Sequence, residues 1–312
     1  MWAAVFGGGP QPVYETGETM KKILSNKKAI AFFVCPTVLI MLVIVVVPIF
    51  ISAYYSMLDW DGLGKGTFVG LRNYMELAGD ERFVNSLKNS LLYVFFSLFI
   101  QLPVSLLLAM VVANIKHGEK FYRTTYFIPV IISGVVIGQL WQKIYNGDYG
   151  LLNAMLGSLH LEHLQQDWLG QESTALIAAF IPNLWQYVGY HMLIMYAGIK
   201  SISPEIYEAA TIDGADSRQI AFKVTIPLLK PVLEVCVTFS LIGALKIFDL
   251  IYVLTGGGPF FTTEVPTIYM YKTIFDSFHY GYGSAISIFI ILECFVFTML
   301  LKLFFRNKEE QA

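Results

Sequence analysis

Only 14% of the 312 residues are charged, whereas 56% are hydrophobic. A soluble domain carries about 25% charged residues, so this composition predicts an all-α polytopic membrane protein. The net charge of −2 and the lack of a long basic run exclude nucleic acid as a partner. Cys35, Cys236 and Cys294 lie in apolar runs, with neither the spacing of metal ligands nor a disulfide pattern.

The N-terminal segment precedes the first apolar run. Residues 1–19 are rich in Gly, Pro and Thr and lack the basic-then-apolar order of a signal peptide. We predict a partly disordered cytoplasmic tail at 1–28, and Met20-Lys21-Lys22 is typical of a natural start. A second cytoplasmic tail is predicted at 306–312.

Six apolar runs approach the length of about 20 residues that a helix needs to cross a membrane. The predicted spans, within one domain at 29–305, are 29–55, 89–115, 124–142, 173–199, 231–254 and 282–301. Lysines and arginines concentrate in the tails and in the second and fourth connecting segments, so we place both termini and these two segments in the cytoplasm. Short helices are predicted outside at 73–78 and 151–164.

The fourth connecting segment is a charged island between two apolar spans. Ser203 before Pro204 predicts a capped helix start, because a hydroxyl can accept from free amides and proline already has a helical φ. Asp213-Gly214 predicts the end of this helix. A second helix is predicted from Asp216 to Ile226, where Pro227 stops it. The segment is therefore two short helices around a glycine elbow.

The spacing Glu208-Ala209-Ala210, Asp213-Gly214-Ala215, Ile226-Pro227 resembles the EAA loop of ABC-importer permeases, in the carbohydrate branch of maltose and multiple-sugar type. The resemblance covers the chain from about residue 29 to its end. It implies that 203–227 is a coupling loop that docks in a cleft of a separate ATPase subunit. The coupling residues are then Tyr207, Glu208, Ala209, Ala210, Asp213, Gly214, Ala215 and Pro227. A plain interfacial helix pair is the alternative.

The resemblance also implies partners. They are a second, similar permease subunit in a heterodimer, two copies of an ATP-binding subunit that uses ATP and Mg, an extracellular or periplasmic solute-binding protein, and a sugar or oligosaccharide. The chain would lie in the bacterial cytoplasmic (inner) membrane, with no cofactor, metal or catalytic site of its own. Its histidines are scattered over different loops and spans, which also argues against an enzyme.

A polar and aromatic set interrupts the fourth predicted span. In the resembling permeases this half-span and the middle of the fifth span line the substrate path. The residues assigned to that path are Trp185, Gly189, His191, Lys246, Phe248 and Asp249. An aromatic belt at the membrane interface is the alternative for Trp185.

Charged residues also interrupt the last two predicted spans. Lys246 and Asp249 lie three residues apart, hence on one face of the predicted helix, where they can neutralise each other. We interpret them as part of a cavity wall, with a purely structural ion pair as the alternative. Glu293 is interpreted as a partner of Lys246, a proton carrier or a neutral buried acid.

The run Gly256-Gly257-Gly258-Pro259 follows the fifth predicted span. It lacks the Gly-Lys-Ser/Thr ending of a phosphate-binding loop, and it predicts either a chain reversal or a plain turn. Two alternative functions stay open. An ABC permease for a non-sugar solute is one, and an ion-coupled secondary transporter is the other, although the sequence lacks the inverted repeat typical of that class.

Overall fold

The structure is a computed structural model that describes residues 27–306. The predicted tails lie outside the described residues, apart from Lys27, Lys28 and Arg306, which belong to helices. The chain divides into two units, with the boundary between Tyr54 and Tyr55.

Helix α1 makes up the described part of the first unit, and only its last residue, Tyr55, is assigned to the second. It comprises Lys27–Met41, a π-helical turn at Leu42–Val46, and Val47–Tyr55. The π turn lies just before Pro48, whose ring would clash with a carbonyl of a regular preceding turn, so the wider turn relieves the clash. Ile30–Tyr55 is long and apolar enough to cross a membrane.

The second unit opens with a small hairpin and a short helix. Strands β1 (Leu58–Asp59) and β2 (Thr67–Phe68) pair antiparallel, and helix α2 (Arg72–Gly79) confirms the helix predicted at 73–78. The amide of Asn73 donates to the carbonyl of Ser56 at 2.8 Å and to that of Leu58 at 2.9 Å. These buried hydrogen bonds fasten α2 to the hairpin.

Helix α3 (Glu81–Asn114) begins about two turns before the predicted span. It begins there because the Asp80 carboxylate caps it, accepting from the backbone N–H of Arg82 at 2.9 Å and of Phe83 at 3.2 Å. A π-helical turn at Ser97–Gln101 again precedes a proline, Pro103.

The third predicted span is not one helix. Helices α4 (Glu119–Ile131) and α5 (Gly134–Tyr145) meet at 96°. The freed carbonyl of Ile132 accepts from the side-chain amide of Gln186 at 3.1 Å, so the bend costs no unsatisfied backbone group at that point. The apolar run continues through the bend, which explains why the sequence predicted one span at 124–142.

The middle of the chain holds one long helix and several short ones. Helix α6 (Leu151–Ser158) covers only the first part of the helix predicted at 151–164, and a 3₁₀ turn follows at Glu162–Leu164. The elements that come next are α7 (Glu172–Ser201), α8 (Pro204–Ile212), α9 (Ser217–Leu228), α10 (Lys230–Leu245), α11 (Asp249–Thr255), α12 (Pro266–Phe275) and α13 (Tyr280–Arg306).

The prediction of a continuous fifth span at 231–254 is wrong. Helix α10 ends at Leu245, and Phe248 leaves the helical region with φ −140° and ψ −68° before α11 begins. The Thr267 hydroxyl donates to the carbonyl of Ile247, which would otherwise lose its partner at the break. Non-helical backbone within a membrane requires such internal satisfaction.

The helical fold class is confirmed, whereas the number of spans stays a prediction. Among the described residues, α1, α3 and α13 are long and apolar enough to cross a membrane. Two bent pairs, α4 with α5 and α9 with α10, would raise the number to five. Length and apolarity therefore identify at most five spans among the described residues, one fewer than the six predicted.

A core where α3, α7, α10 and α11 meet holds the break in place. Tyr93 is fully buried and packs edge to face on Phe180, with ring centroids 5.9 Å apart, while Leu241 and Ile251 are buried beside them. Lipid gives little hydrophobic drive for helix association, so close van der Waals packing of this kind fixes the helices. Leu245, Ile247 and Leu250, on both sides of the break, belong to this packed core.

Candidate functional site

Helix α8 begins where the sequence predicts, but its first residue is not capped as expected. Pro204 is the first helical residue, and the Ser203 hydroxyl makes no bond to a backbone N–H. The hydroxyl donates instead to the Glu205 carboxylate.

A glycine elbow joins α8 to α9, as predicted. Gly214 has φ +82°, and its N–H donates to the carbonyl of Thr211 while the N–H of Ala215 donates to that of Ala210, both at 3.0 Å. A left-handed residue with these two bonds is a common helix ending. No other atom lies within 4 Å of a Cβ added at Gly214, so conformation alone requires glycine there.

The second short helix has a reciprocal cap. The Asp216 carboxylate accepts from the backbone N–H of Gln219 at 2.7 Å, and the Gln219 side chain accepts from the N–H of Asp216 at 2.9 Å. The prediction that Pro227 stops this helix at Ile226 is wrong. A π-helical turn at Ala221–Thr225 admits the proline ring, and the helix continues to Leu228.

The helix pair exposes apolar side chains that the sequence interpretation missed. Ile212 is 85% exposed and Phe222 is 71% exposed. Between the helices, the hydroxyls of Thr225 and Tyr207 lie 3.5 Å apart. The predicted coupling residues all lie on α8, the elbow or α9: Tyr207, Glu208, Ala209, Ala210, Asp213, Gly214, Ala215 and Pro227. The sequence signal for the exposed apolar surface was the presence of large apolar residues, Ile212 and Phe222, within a charged segment.

A cleft of about 470 Å³ lies beside the break between α10 and α11. Of the residues assigned to a substrate path, His191, Lys246, Phe248 and Asp249 line it, whereas Trp185 and Gly189 do not. Further polar and aromatic residues line the same cleft: Ser97, Gln101, Asn183, Gln186, Tyr187, Tyr190 and Ser240. Ser97 and Gln101, polar residues within an apolar run, were missed from the sequence.

Lys246 and Asp249 are both exposed, and they do not share a helical face. The helix ends between them, and within the described residues neither side chain has an opposite charge within 4.0 Å. The predicted mutual ion pair is therefore wrong. Both side chains line the cleft as separate charges.

The cleft also holds polar atoms without a partner. His191 is only 3% exposed, and its Nδ1 has no hydrogen-bond partner among the described residues. The hydroxyl of Ser240, which is 5% exposed, has none there either. Buried polar groups are normally hydrogen-bonded, so the described residues leave hydrogen-bonding capacity unused beside the cleft.

Trp185 and Gly189 have other neighbours. The Trp185 ring packs edge to face on Trp141, with centroids 6.2 Å apart. A Cβ on Gly189 would lie 1.7 Å from the carbonyl oxygen of Tyr126. The glycine therefore lets α7 approach the backbone of α4.

The glycine run after α11 is an ordered reversal. Gly256 and Gly257 have φ +59° and +91°, and the Gly258–Pro259 peptide is cis. Glu264, which follows, is fully buried and accepts from Arg82 Nε at 2.6 Å and Nη2 at 2.7 Å. Lys272 Nζ lies 3.2 Å from the same carboxylate. This ion cluster joins the reversal to α3 and α12.

Asp80, next to that cluster, is ionised near neutral pH. Burial raises the pKa of Asp80, but hydrogen bonds donated by the hydroxyls of Tyr269 and Tyr282 and by two backbone amides outweigh burial, and the pKa falls below its ordinary value. Stability from this carboxylate is present above the unfolded pKa and is lost as the pH falls through the lowered one.

Glu293 does not pair with Lys246. Glu293 is 8% exposed, and neither carboxylate oxygen has a hydrogen-bond partner within residues 27–306. The structure therefore excludes the first of the three interpretations of Glu293 given above.

The chain matches, over residues 76–309, the family described as "Binding-protein-dependent transport system inner membrane component". It is 35% identical over 292 residues to a probable ABC transporter permease, YurN, of Bacillus subtilis, covering 93% of this chain and 100% of YurN. It is 32% identical over 275 residues to the multiple sugar-binding transport system permease MsmF of Streptococcus mutans, covering 88% and 93%.

A solved structure has the same fold. A chain of a bacterial ABC transporter that imports the acidic polysaccharide alginate superposes with a TM-score of 0.80 at 23% identity, covering 94% of this chain and 99% of that one. The chain therefore belongs to the family of inner membrane components of binding-protein-dependent transport systems. Members of this family are the membrane subunits of ABC transporters.

Proposed function

We propose that this chain is the membrane subunit of an ATP-driven importer for a sugar or oligosaccharide that an external binding protein delivers. The observation that carries the proposal is the helix pair α8 and α9, whose exposed Ile212 and Phe222 suit a protein groove better than water. Two relatives whose names state sugar transport, MsmF and the trehalose/maltose permease MalF of Thermococcus litoralis, support the substrate class.

The proposal includes the partners. One helix pair can engage one ATPase, so two ATP-binding subunits require a second, similar permease subunit. The alginate transporter has been solved with a periplasmic protein bound to a pentasaccharide, which supports delivery by a binding protein. ATP and Mg belong to the ATPase subunits in this arrangement, and both termini of the chain lie in the cytoplasm.

The alternative function is ion-coupled transport, which is favoured by the Glu293 carboxylate because it has no hydrogen-bond partner within the described residues. The two functions differ in their source of energy. We expect uptake of the delivered sugar into proteoliposomes holding the whole complex to require internal ATP. Uptake should survive an ionophore that collapses proton and sodium gradients. Uptake without ATP that the ionophore abolishes would contradict the proposal.

The cleft is the proposed substrate path. Because Lys246 and Asp249 are not paired, we expect Lys246→Gln and Asp249→Asn each to raise the KM for uptake about tenfold, through loss of a hydrogen bond to a charged group. The double variant should show the two effects added, with no rescue. Lys143→Gln, an exposed lysine outside this cleft, is the control. Unchanged KM in the double variant would remove both residues from the path.

A further inference from the structure

A cluster of charged and aromatic side chains lies where α7 ends, three residues before α8 begins. Tyr196 and Lys200 are four residues apart near the end of α7, and both reach the Glu119 carboxylate on the first turn of α4. The Tyr196 hydroxyl donates to Glu119, and Lys200 Nζ lies 3.4 Å from its other oxygen. Arg123, one turn along α4, lies 3.3 Å from Glu119.

The cluster has more contacts than a simple surface ion pair. Arg123 Nη1 donates to the Tyr196 hydroxyl at 3.3 Å, and its guanidinium carbon lies 4.9 Å from the centre of the Tyr196 ring. Tyr196 is only 6% exposed. Lys200 Nζ also donates to the carbonyl of Ala113 at 2.9 Å, near the end of α3. The cluster thus fastens the ends of three helices, α3, α4 and α7.

The connection from this cluster to the coupling loop is short. Only Ser201, Ile202 and Ser203 separate Lys200 from α8, and the N–H of Ile202 still donates to the carbonyl of Ile199. In contrast, a cleft of about 630 Å³ separates α8 and α9 from the end of α3. The direction of α8 therefore depends on the end of α7 more than on packing against α3.

We infer that Glu119 is a positioning residue for coupling: by binding Tyr196 and Lys200 it fixes the end of α7, and thereby the direction in which α8 meets the ATPase. This inference rests on the proposed function of the helix pair. Without the carboxylate, Arg123 and Lys200 become neighbouring cations without a counter-charge, and in this cluster the end of α7 is held to α4 only by the contacts of Arg123 with Tyr196.

The test compares coupling with stability in the purified whole complex. We expect Glu119→Gln to lower the amount of sugar transported per ATP hydrolysed about tenfold, within the usual range of coupling between sites. ATPase co-purification and the Tm should stay at wild-type values. Lys200→Met should act in the same direction, and the double variant should lose less than the product of the two single effects, because both substitutions remove the Glu119–Lys200 contact. Glu119→Asp should restore part of the coupling.

Glu76→Gln is the matched control, since Glu76 forms an exposed pair with Arg72, also four residues apart in one helix. Wild-type transport per ATP in both Glu119→Gln and Lys200→Met would overturn the inference, as would a lowered Tm with a proportional loss of both activities. If Glu119→Gln fails to accumulate, Lys200→Met decides the result. Wild-type uptake without need of ATP would instead overturn the proposed function.

Discussion

Replacing Glu264 with glutamine is expected to destabilise the protein by about 3 kcal/mol, because the substitution leaves a bidentate arginine without its buried counter-charge. Arg82 and Lys272 keep 33% and 24% of their side chains exposed, so water offsets part of the loss. For a chain of this size the Tm should fall by about 5–10 °C. Thermal unfolding of the purified complex in detergent measures it.

The same substitution should release the glycine reversal. The Asn89 amide donates to the Glu264 carbonyl at 2.8 Å, and the Arg82 guanidinium carbon lies 3.9 Å from the centre of the Phe261 ring, so one side chain anchors several contacts. Limited proteolysis should then cut near Phe260, which is 81% exposed. Glu76→Gln, in an exposed pair, should change neither Tm nor cleavage. An unchanged Tm in Glu264→Gln would show that the cluster contributes nothing to stability.

Local chemistry predicted the elements that depend on neighbours in sequence. The elbow at Gly214 follows from the need for positive φ, and the second helix start follows from the acceptor of Asp216. The elbow and the helix start each depend only on residues within one helical turn. The predicted cap by Ser203 is absent, and its hydroxyl donates to the Glu205 carboxylate instead.

The broken spans could not be predicted, because hydrophobicity is the same on both sides of each break. The break after Leu245 depends on Thr267, twenty residues beyond the Ile247 carbonyl that it binds, and the bend after Ile131 depends on Gln186 in another helix. The partner of Glu264 lies at Arg82, in a distant part of the sequence. Tertiary partners therefore decided these features.

Four of the six residues that the sequence assigned to the substrate path line the cleft, and two do not. Side-chain chemistry pointed to Lys246, Phe248 and Asp249, and all three line the cleft. The family resemblance brought in His191, which also lines it, but also Trp185 and Gly189, which contact Trp141 and the backbone of Tyr126 instead. Helix packing, which the sequence does not show, decided between these residues.

Charge reversal at Glu208 is expected to have the largest effect on transport. Glu208 is exposed on α8 and has no ion pair within the described part of the chain, while Ala209 beside it leaves space for a partner. Ile212, four residues further on and hence on the same face of the helix, is 85% exposed, so the carboxylate lies beside an exposed apolar side chain. We therefore expect it to meet a basic or hydrogen-bond-donating group on the ATPase.

Removing one partner of such a contact costs about 2–5 kcal/mol, and Glu208→Lys adds repulsion. Uptake and ATPase co-purification should therefore fall at least about thirtyfold while membrane abundance stays normal. Glu205→Lys reverses a charge one turn earlier on α8 and serves as the control; it should weaken uptake far less, because its carboxylate already binds Ser203. Full uptake in Glu208→Lys would refute docking through this residue, whereas loss of abundance alone would assign Glu208 to folding. An acidic substitution of the ATPase group that restores uptake would identify its partner.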